Sequence, residues 1–453
     1  MRVRQTLLAG VAGLALAVLP FGARAGEIFF DFNQNLVNPN ASVFLFGTPG
    51  QTAAVTTRSG FSTGVTLNAQ GFFNLPIPNS FQQSGTGIRD TGFQVSSSGA
   101  IGGYFVNRAT ASTDMTYLLD RTALGTNYVV ASQGGGFGEG SQVAIHAVQD
   151  GTTVTFTPRG GAPITVTLAA GETYKYAGSA TDLTGSLVEA NAEVAVFSGH
   201  SCAQVPVGRT FCDTLIEQMI PTDKLSDSYL VTASGGADLA NGDLMRVVAT
   251  EDNTAVSVNG TAVATLNTGD TYEFTLAPGS GAQIEASNPV LVAQYLQGGS
   301  GGNTDPAFSV VPGADTYLDA YKLATPSGDQ AFNVNYASLV VPTAVLGSLE
   351  LNGSSVDTSG FSGISGTTFS RGLVDLPLGL FTLTADDPFL VMLGGGSQAD
   401  SYFTYGGSTF APGISPPPPP PPPTNVPEPA SLGLFGLGLI GLVASRRRRR
   451  APA

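Results

Sequence analysis

An all-β body built from tandem repeats is the fold this sequence predicts, and three observations predict it. Glycine is abundant (59 of 453 residues), tryptophan is absent and charged residues make up only 11%. Short runs rich in Val, Thr, Tyr and Phe alternate with Gly, Asn, Asp and Pro clusters, as in "TTVTFTP" (152–158), "PITVTLAAGETYKY" (163–176) and "VLVAQYLQGG" (290–299). These are period-two strands bounded by turn residues, and outside the termini no stretch carries the 3.6-residue period of an amphipathic helix.

The strands recur in order. A motif with an aromatic fourth residue opens four segments: "GEIFFDFNQN" from 26, "GTNYVVASQG" from 125, "SDSYLVTASG" from 226 and "LDAYKLATPS" from 318. Copies two and three align best, "AIHAVQDGTTVTF" (144–156) with "MRVVATEDNTAVSV" (245–258), and "AGETYKY" (170–176) with "TGDTYEF" (268–274). Three copies close on related strand pairs, "SLVEANAEVAVFSG" (186–199), "AQIEASNPVLVAQYLQG" (282–298) and "FTLTADDPFLVMLGG" (381–395); in copy one the weaker counterpart is "GFQVSSSGAIGGYFVNR" (92–108). The expected repeats therefore run over about 26–124, 125–225, 226–317 and 318–410. Each holds enough strand candidates for a small β-sandwich-like unit, with a propeller-like ring of the repeats as the alternative.

The ends of the chain carry address signals. Residues 1–25 place Arg2 and Arg4 before an apolar run from Leu7 to Leu19 and close on Ala23-Arg24-Ala25. A basic start, a short hydrophobic core and small residues before the cut describe a cleavable secretory signal. Between residues 26 and 425 there are 32 acidic and 11 basic residues, a net of 11 − 32 = −21. Such a body repels phosphate backbones, which excludes nucleic acid as a partner. Its acidic turns, "QDGT" (149–152) and "EDNT" (251–254), read as hairpin chemistry with weak Ca²⁺ binding as the sharper alternative; no other cofactor is expected.

The segment "FSGHSCAQVPVGRTFCDTLIEQMIP" (197–221) holds both cysteines, Cys202 and Cys212, and His200. After export, two cysteines read most simply as a disulfide closing a loop of about 11 residues, stabilising by roughly 2–3 kcal/mol. A metal set from His200, Cys202, Cys212 and Asp213 is the alternative, although His-x-Cys is not a common zinc spacing. "GHSCA" (199–203) begins like a nucleophile elbow but ends on Ala203 and lacks a following helix; "GGSGG" (298–302) and "GFSTG" (60–64) match through abundant glycine and serine. With only His146 and His200 as candidate general bases, no enzyme activity is expected.

On these residues the body resembles the family of the IgGFc-binding protein N-terminal domain. "GEIFFDFNQN" resembles its opening strand, with Phe29, Phe32 and Asn35 in similar places and Glu27 shifted by one. Its most specific signature is matched by Ser198, Gly199, His200, Cys202, Val205, Pro206, Cys212, Asp213, Glu217, Gln218 and Pro221. The resemblance covers roughly residues 26–400 and implies the repeat architecture, the disulfide and an extracellular adhesion or matrix role. It places no Fc-contacting residue here.

Beyond residue 410 the composition shifts. Residues 411–425 include eight consecutive prolines, Pro416 to Pro423, which predict a stiff polyproline II spacer. Residues 426–453 resemble the PEP-CTERM sorting signal. Pro427, Glu428 and Pro429 supply the motif, Ala430 to Ala444 a short apolar helix, and Arg446, Arg447, Arg448, Arg449 and Arg450 a membrane-stop charge cluster. The apolar segment spans roughly 22 Å of helix against a ~30 Å hydrocarbon core, which suits transient insertion better than a lasting anchor. The resemblance implies processing by an exosortase. The expectation is an exported structural or adhesive protein of the envelope, cell surface or extracellular matrix of a Gram-negative-type bacterium, with an unknown extracellular glycan or protein as partner. A carbohydrate- or protein-ligand-binding module is the alternative.

Overall fold

A computed structural model of the chain describes residues 26–35, 39–235, 241–299, 305–397 and 399–413. The expected secretory signal, most of the proline-rich spacer, and the sorting segment with Pro427, Glu428, Pro429 and Arg446 to Arg450 lie outside the described residues. Strands dominate, and every helical element described is a 3-10 turn of three to six residues. Among the described residues no helix is long and apolar enough to cross a membrane.

One pairing scheme organises three parts of the body, and a long strand carries it. Leu187–Ala203 pairs through its first half with Gly125–Val129 and Thr152–Thr157, and through its second half with Ser141–Ala147 and Asp213–Gln218. Gly281–Leu296 does the same with Ser226–Thr232 and Thr254–Val258, then with Asp243–Ala249 and Ala307–Val310. Gly379–Ser397 repeats it with Leu318–Thr325 and Glu350–Leu351, then with Val334–Pro342 and Asp400–Tyr405. Each long strand thus serves two layers, so each sheet curls on itself, and the buried apolar side chains of all the sheets join in one continuous core. Between residues 26 and 117 the corresponding stretch is broken into Phe93–Ser97 and Gly102–Ala109, and two separate four-stranded sheets result. The break falls at "SGAI" (98–101), where small residues and glycine weaken a continuous strand.

The alternation read from the sequence is visible in burial. Thr152–Thr157 alternates buried and half-buried positions, with Val154 and Phe156 inward. The second halves of the long strands are buried on both faces and read as mainly apolar runs, such as "VLVAQYL" (290–296), in which Gln294 is the one polar residue. In the first unit the core is aromatic: Phe30 stacks on Phe93 and Phe105 at centroid distances of 4.6 and 5.1 Å.

The aromatic fourth residue of the opening motif has a defined task. The Tyr128 hydroxyl accepts the Gly125 N–H (2.9 Å) and donates to the Val194 carbonyl (2.6 Å). Tyr229 does this between Ser226 N–H and the Val290 carbonyl, and Tyr321 between Leu318 N–H and the Phe389 carbonyl. In all three the opening strand shifts register just after its first residue, so a ladder bond is lost and the phenol supplies the missing donor and acceptor. Phe29 stands at this position in the first unit, where the pairing of Glu27–Phe30 runs without a shift.

Candidate functional site

The strands Ser112–Tyr117, Asp213–Gln218, Ala307–Val310 and Asp400–Tyr405 close their respective units and meet one another at the centre of the body. Ser112–Tyr117 touches Asp213–Gln218 on one side and Asp400–Tyr405 on the other, and Ala307–Val310 completes the circle between those two. Their facing edges form no ladder, so side chains satisfy the backbone. The carboxylate of Asp114 accepts N–H groups from Met115 (2.9 Å), Ile216 (3.1 Å), Phe308 (3.2 Å) and Phe403 (3.2 Å), one donor from each closing strand. Above and below it, Thr116 Oγ1 accepts Gln218 N–H, Thr404 Oγ1 accepts Tyr117 N–H and Ser112 Oγ accepts Thr214 N–H. Burial pushes the Asp114 carboxyl well above its ordinary range, while its four backbone donors pull the other way.

Three residues before Ile216, Phe308 and Phe403 stand Asp213, Asp305 and Asp400, all buried. Burial raises all three carboxyls, to about 7 for Asp305 and about 6 for Asp400; Asp213 and Asp305 are raised further by neighbouring members of the trio. Arg108 partly offsets Asp400, with Nη2 3.4 Å from Oδ2. The sequence signal for this trio is Asp-x-x-Ile/Phe in "DTLI", "DPAF" and "DSYF", at spacings of 305 − 213 = 92 and 400 − 305 = 95 residues. Of the three, the sequence singles out only Asp213; Asp305 and Asp400 read as ordinary aspartates at the start of a strand or turn.

The Cys202–Cys212 disulfide adjoins this end of the centre, with Cα atoms 5.1 Å apart. The alternative metal set is not assembled. Both sulfurs are in the disulfide, His200 Nε2 bonds the Gly135 carbonyl at 2.7 Å, and His200 Nδ1 accepts the Cys202 N–H at 2.9 Å. That pattern places the ring proton on Nε2. Burial lowers the His200 pKa to about 4, with the bond to the Gly135 carbonyl opposing. Neither ring nitrogen of His200 is left to act as a base for Ser201, since both are held by backbone groups. Ser201 Oγ donates to the Phe137 carbonyl (2.9 Å) and accepts the Gly140 N–H (3.0 Å), tying one loop down. His146 is buried against Phe29, with Nδ1 3.4 Å from Asp31 Oδ2.

Two of the turn acids bond neighbouring turns. Asp150 Oδ1 accepts Ala170 N–H, and Asp252 Oδ1 accepts both the N–H and hydroxyl of Thr268, joining neighbouring hairpin turns. Between the second and third units lies a groove of about 430 Å³ lined in part by Glu189, Asp223 and Glu251.

Three large apolar side chains are exposed on the loops beside the disulfide. Val207 is 62% exposed, Phe137 60% and Phe211 39%. Loop 133–140 is held to the disulfide strand by Phe137 N–H to the Cys202 carbonyl (3.0 Å), and loop 203–211 to the third unit by Gly298 N–H to the Val205 carbonyl (2.9 Å). Phe211 occupies the left-handed region (φ 65°), a costly conformation for a bulky residue that persists only where its surroundings impose it.

A disulfide-pinned, all-β body with an apolar loop surface defines the class of protein to which comparison with known proteins then gives a family. Residues 114–395 match the family described as IgGFc binding protein, and residues 425–449 match the PEP-CTERM protein-sorting motif. The chain belongs to the IgGFc-binding family. It is similar to the IgGFc-binding protein of Homo sapiens, 28% identical over 341 residues that cover 71% of this chain and 6% of the human protein. A crystal structure of a tetra-tandem repeat in the extending region of a large adhesion protein covers 84% of this chain and 99% of its own at 12% identity. Its TM-score of 0.10 carries no argument. The sorting motif marks the chain for export to the cell surface or extracellular space of a Gram-negative-type bacterium, with processing by an exosortase.

Proposed function

We propose that this protein is an adhesive or structural component of the cell surface or extracellular matrix, and that it engages its partner through the apolar loops around the disulfide. The observation that carries the reading is the exposure of Phe137, Val207 and Phe211 on two loops held in place by Cys202–Cys212, Ser201 and the neighbouring unit. Rigid loops presenting aromatic and branched side chains bind with little ordering cost. The family and the sorting motif support a binding module delivered outside the cell rather than an enzyme. In this reading Glu428 with its flanking Pro427 and Pro429 directs processing, and Arg446 to Arg450 hold the tail on the cytoplasmic side until it occurs.

The test is retention of secreted protein in the matrix of the producing cells. A Phe137→Ser, Val207→Ser, Phe211→Ser variant should be exported at the wild-type level, melt within a few degrees of wild type, and wash out of the matrix. Retention equal to wild type would remove these loops from the binding surface. A glycan array probed with the secreted protein separates carbohydrate from protein partners. Saturable binding to one glycan class that the triple substitution abolishes would replace the structural reading with the carbohydrate-binding one.

A further inference from the structure

The opening segment is joined to the second unit by a cluster of polar side chains that solvent does not reach. Asp31, Asn33, His146, Thr173 and Lys175 are all fully buried. Residues 31 and 33 lie on one side of an extended segment, and residues 173 and 175 on one side of the strand Thr173–Ala177, so they meet as two rungs. On the first rung Asp31 Oδ1 accepts the Thr173 hydroxyl (2.7 Å) and Gln83 Nε2 (2.8 Å). Asp31 Oδ2 makes no hydrogen bond; the nearest cationic candidate is His146 Nδ1 at 3.4 Å. On the second rung Lys175 Nζ lies 3.3 Å from Asn33 Oδ1, while Asn33 Nδ2 has no hydrogen-bond partner. The remaining contacts of Nζ are the Gln83 carbonyl at 3.4 Å and the Gln142 side-chain oxygen.

This is a poor resting place for an ammonium group. None of the three oxygens around Nζ belongs to a carboxylate. Burial lowers the lysine pKa to about 7, with the charges of Glu139 and Asp31 opposing, so much of the side chain is free amine at neutral pH. A free amine against a carboxamide, with a carboxylate on the same face of the chain and water excluded, is the constellation for acyl transfer.

We propose that Lys175 and Asn33 form an intramolecular isopeptide bond, with the buried Asp31 carboxylate one rung away as its electrostatic support. The neutral Nζ attacks Cγ of Asn33, and a tetrahedral centre forms. One proton passes from Nζ to Nδ2 within the tetrahedral centre, while the Asp31 carboxylate one rung away stabilises the positive charge that Nζ gains on attack. The Cγ–Nδ2 bond breaks, ammonia leaves, and the Cγ–Nζ amide remains. One amine and one carboxamide become one secondary amide and one ammonia, with no oxidant, cofactor or second substrate. The bond ties the segment that opens the first unit to a strand of the second, so tension applied to the exported chain could not peel that segment away.

Mass spectrometry of the secreted wild-type protein tests the assignment. After reduction and trypsin digestion, the expected product is one branched peptide joining residues 26–58 to residues 160–209, uncut at Lys175 and lighter by one ammonia than the two parts. Fragmentation must place the link at Asn33 and Lys175, which separates it from ammonia loss at the Asn-Gly pairs 241–242, 259–260 and 352–353. Recovery of cleavage after Lys175 together with an intact Asn33 peptide overturns the proposal, whatever the variants do. Asp31→Asn should leave the two peptides unlinked in protein that is still secreted, while Thr173→Val should leave the link in place. A linked Asp31→Asn product would remove the carboxylate from the chemistry.

Discussion

Asp305→Asn should stabilise the protein, and only where the carboxyl would otherwise ionise. Asp305 is buried with its Oδ1 lacking a hydrogen-bond partner, and its backbone N–H is held by Ser401 Oγ at 3.0 Å. Burial and the neighbouring Asp400 raise its pKa from 3.8 to about 7. A carboxyl with a raised folded-state pKa holds its proton longer in the folded than in the unfolded chain. Its stabilising contribution is therefore complete below about pH 4 and is lost as pH rises through 7. The full shift corresponds to about 4 kcal/mol at 1.36 kcal/mol per unit, and the part falling between pH 5 and pH 8 to about 2–3 kcal/mol. Asparagine keeps the shape and stays neutral throughout. Guanidinium unfolding of both proteins at pH 5 and pH 8 should show the variant gaining on wild type by about 2–3 kcal/mol across that interval. His200 and Lys175, whose folded pKa values are lowered, contribute with the opposite sign, but they cancel in the comparison because both proteins contain them. A gap that is the same at both pH values, or that narrows at pH 8, would refute the electrostatic account of the centre.

Tyr229→Phe removes a hydroxyl that serves one buried N–H and one buried carbonyl, and should cost about 1–3 kcal/mol in denaturant unfolding. Cys212→Ser should lower stability by roughly 2–3 kcal/mol and expose loop 203–211 to proteolysis, read by limited digestion and sequencing of the nick. Arg246→Met tests the joint between the second and third units. Its guanidinium donates to the Ser132 carbonyl (2.6 Å), Thr184 Oγ1 (2.7 Å) and Gln133 Oε1 (3.0 Å) across that joint, and it ion-pairs with Asp182 at 3.1 Å. Asp182 is partly solvated, so a loss of about 2–3 kcal/mol is expected, with faster hydrogen exchange at Ser132 and Thr184 as the local signature.

Much of the body was legible as sequence because strand signals are local. The alternation in "TTVTFTP" shows in the inward Val154 and Phe156, and the recurring aromatic at Tyr128, Tyr229 and Tyr321 marks a recurring structural position. That the tyrosines clip a shifted register was not legible, since a register shift depends on a partner strand some 60 residues away. The broken strand of the first unit was legible as the weaker match at 92–108. Asp114 carried no signal at all: an aspartate inside "STDMTY" looks like an edge-strand residue until three further chain segments bring their N–H groups to it.

By itself, the sequence determined the all-β class, the export route and the pairing of the only two cysteines, because periodicity, address signals and a two-cysteine count need no partner to be read. Tertiary structure alone decided which acids share the centre, which loops present Phe137, Val207 and Phe211, and which lysine is sealed beside an asparagine. Those are meetings between residues tens to hundreds of positions apart. The energies that matter there, desolvation and short-range contact, exist only once folding has excluded the water between them.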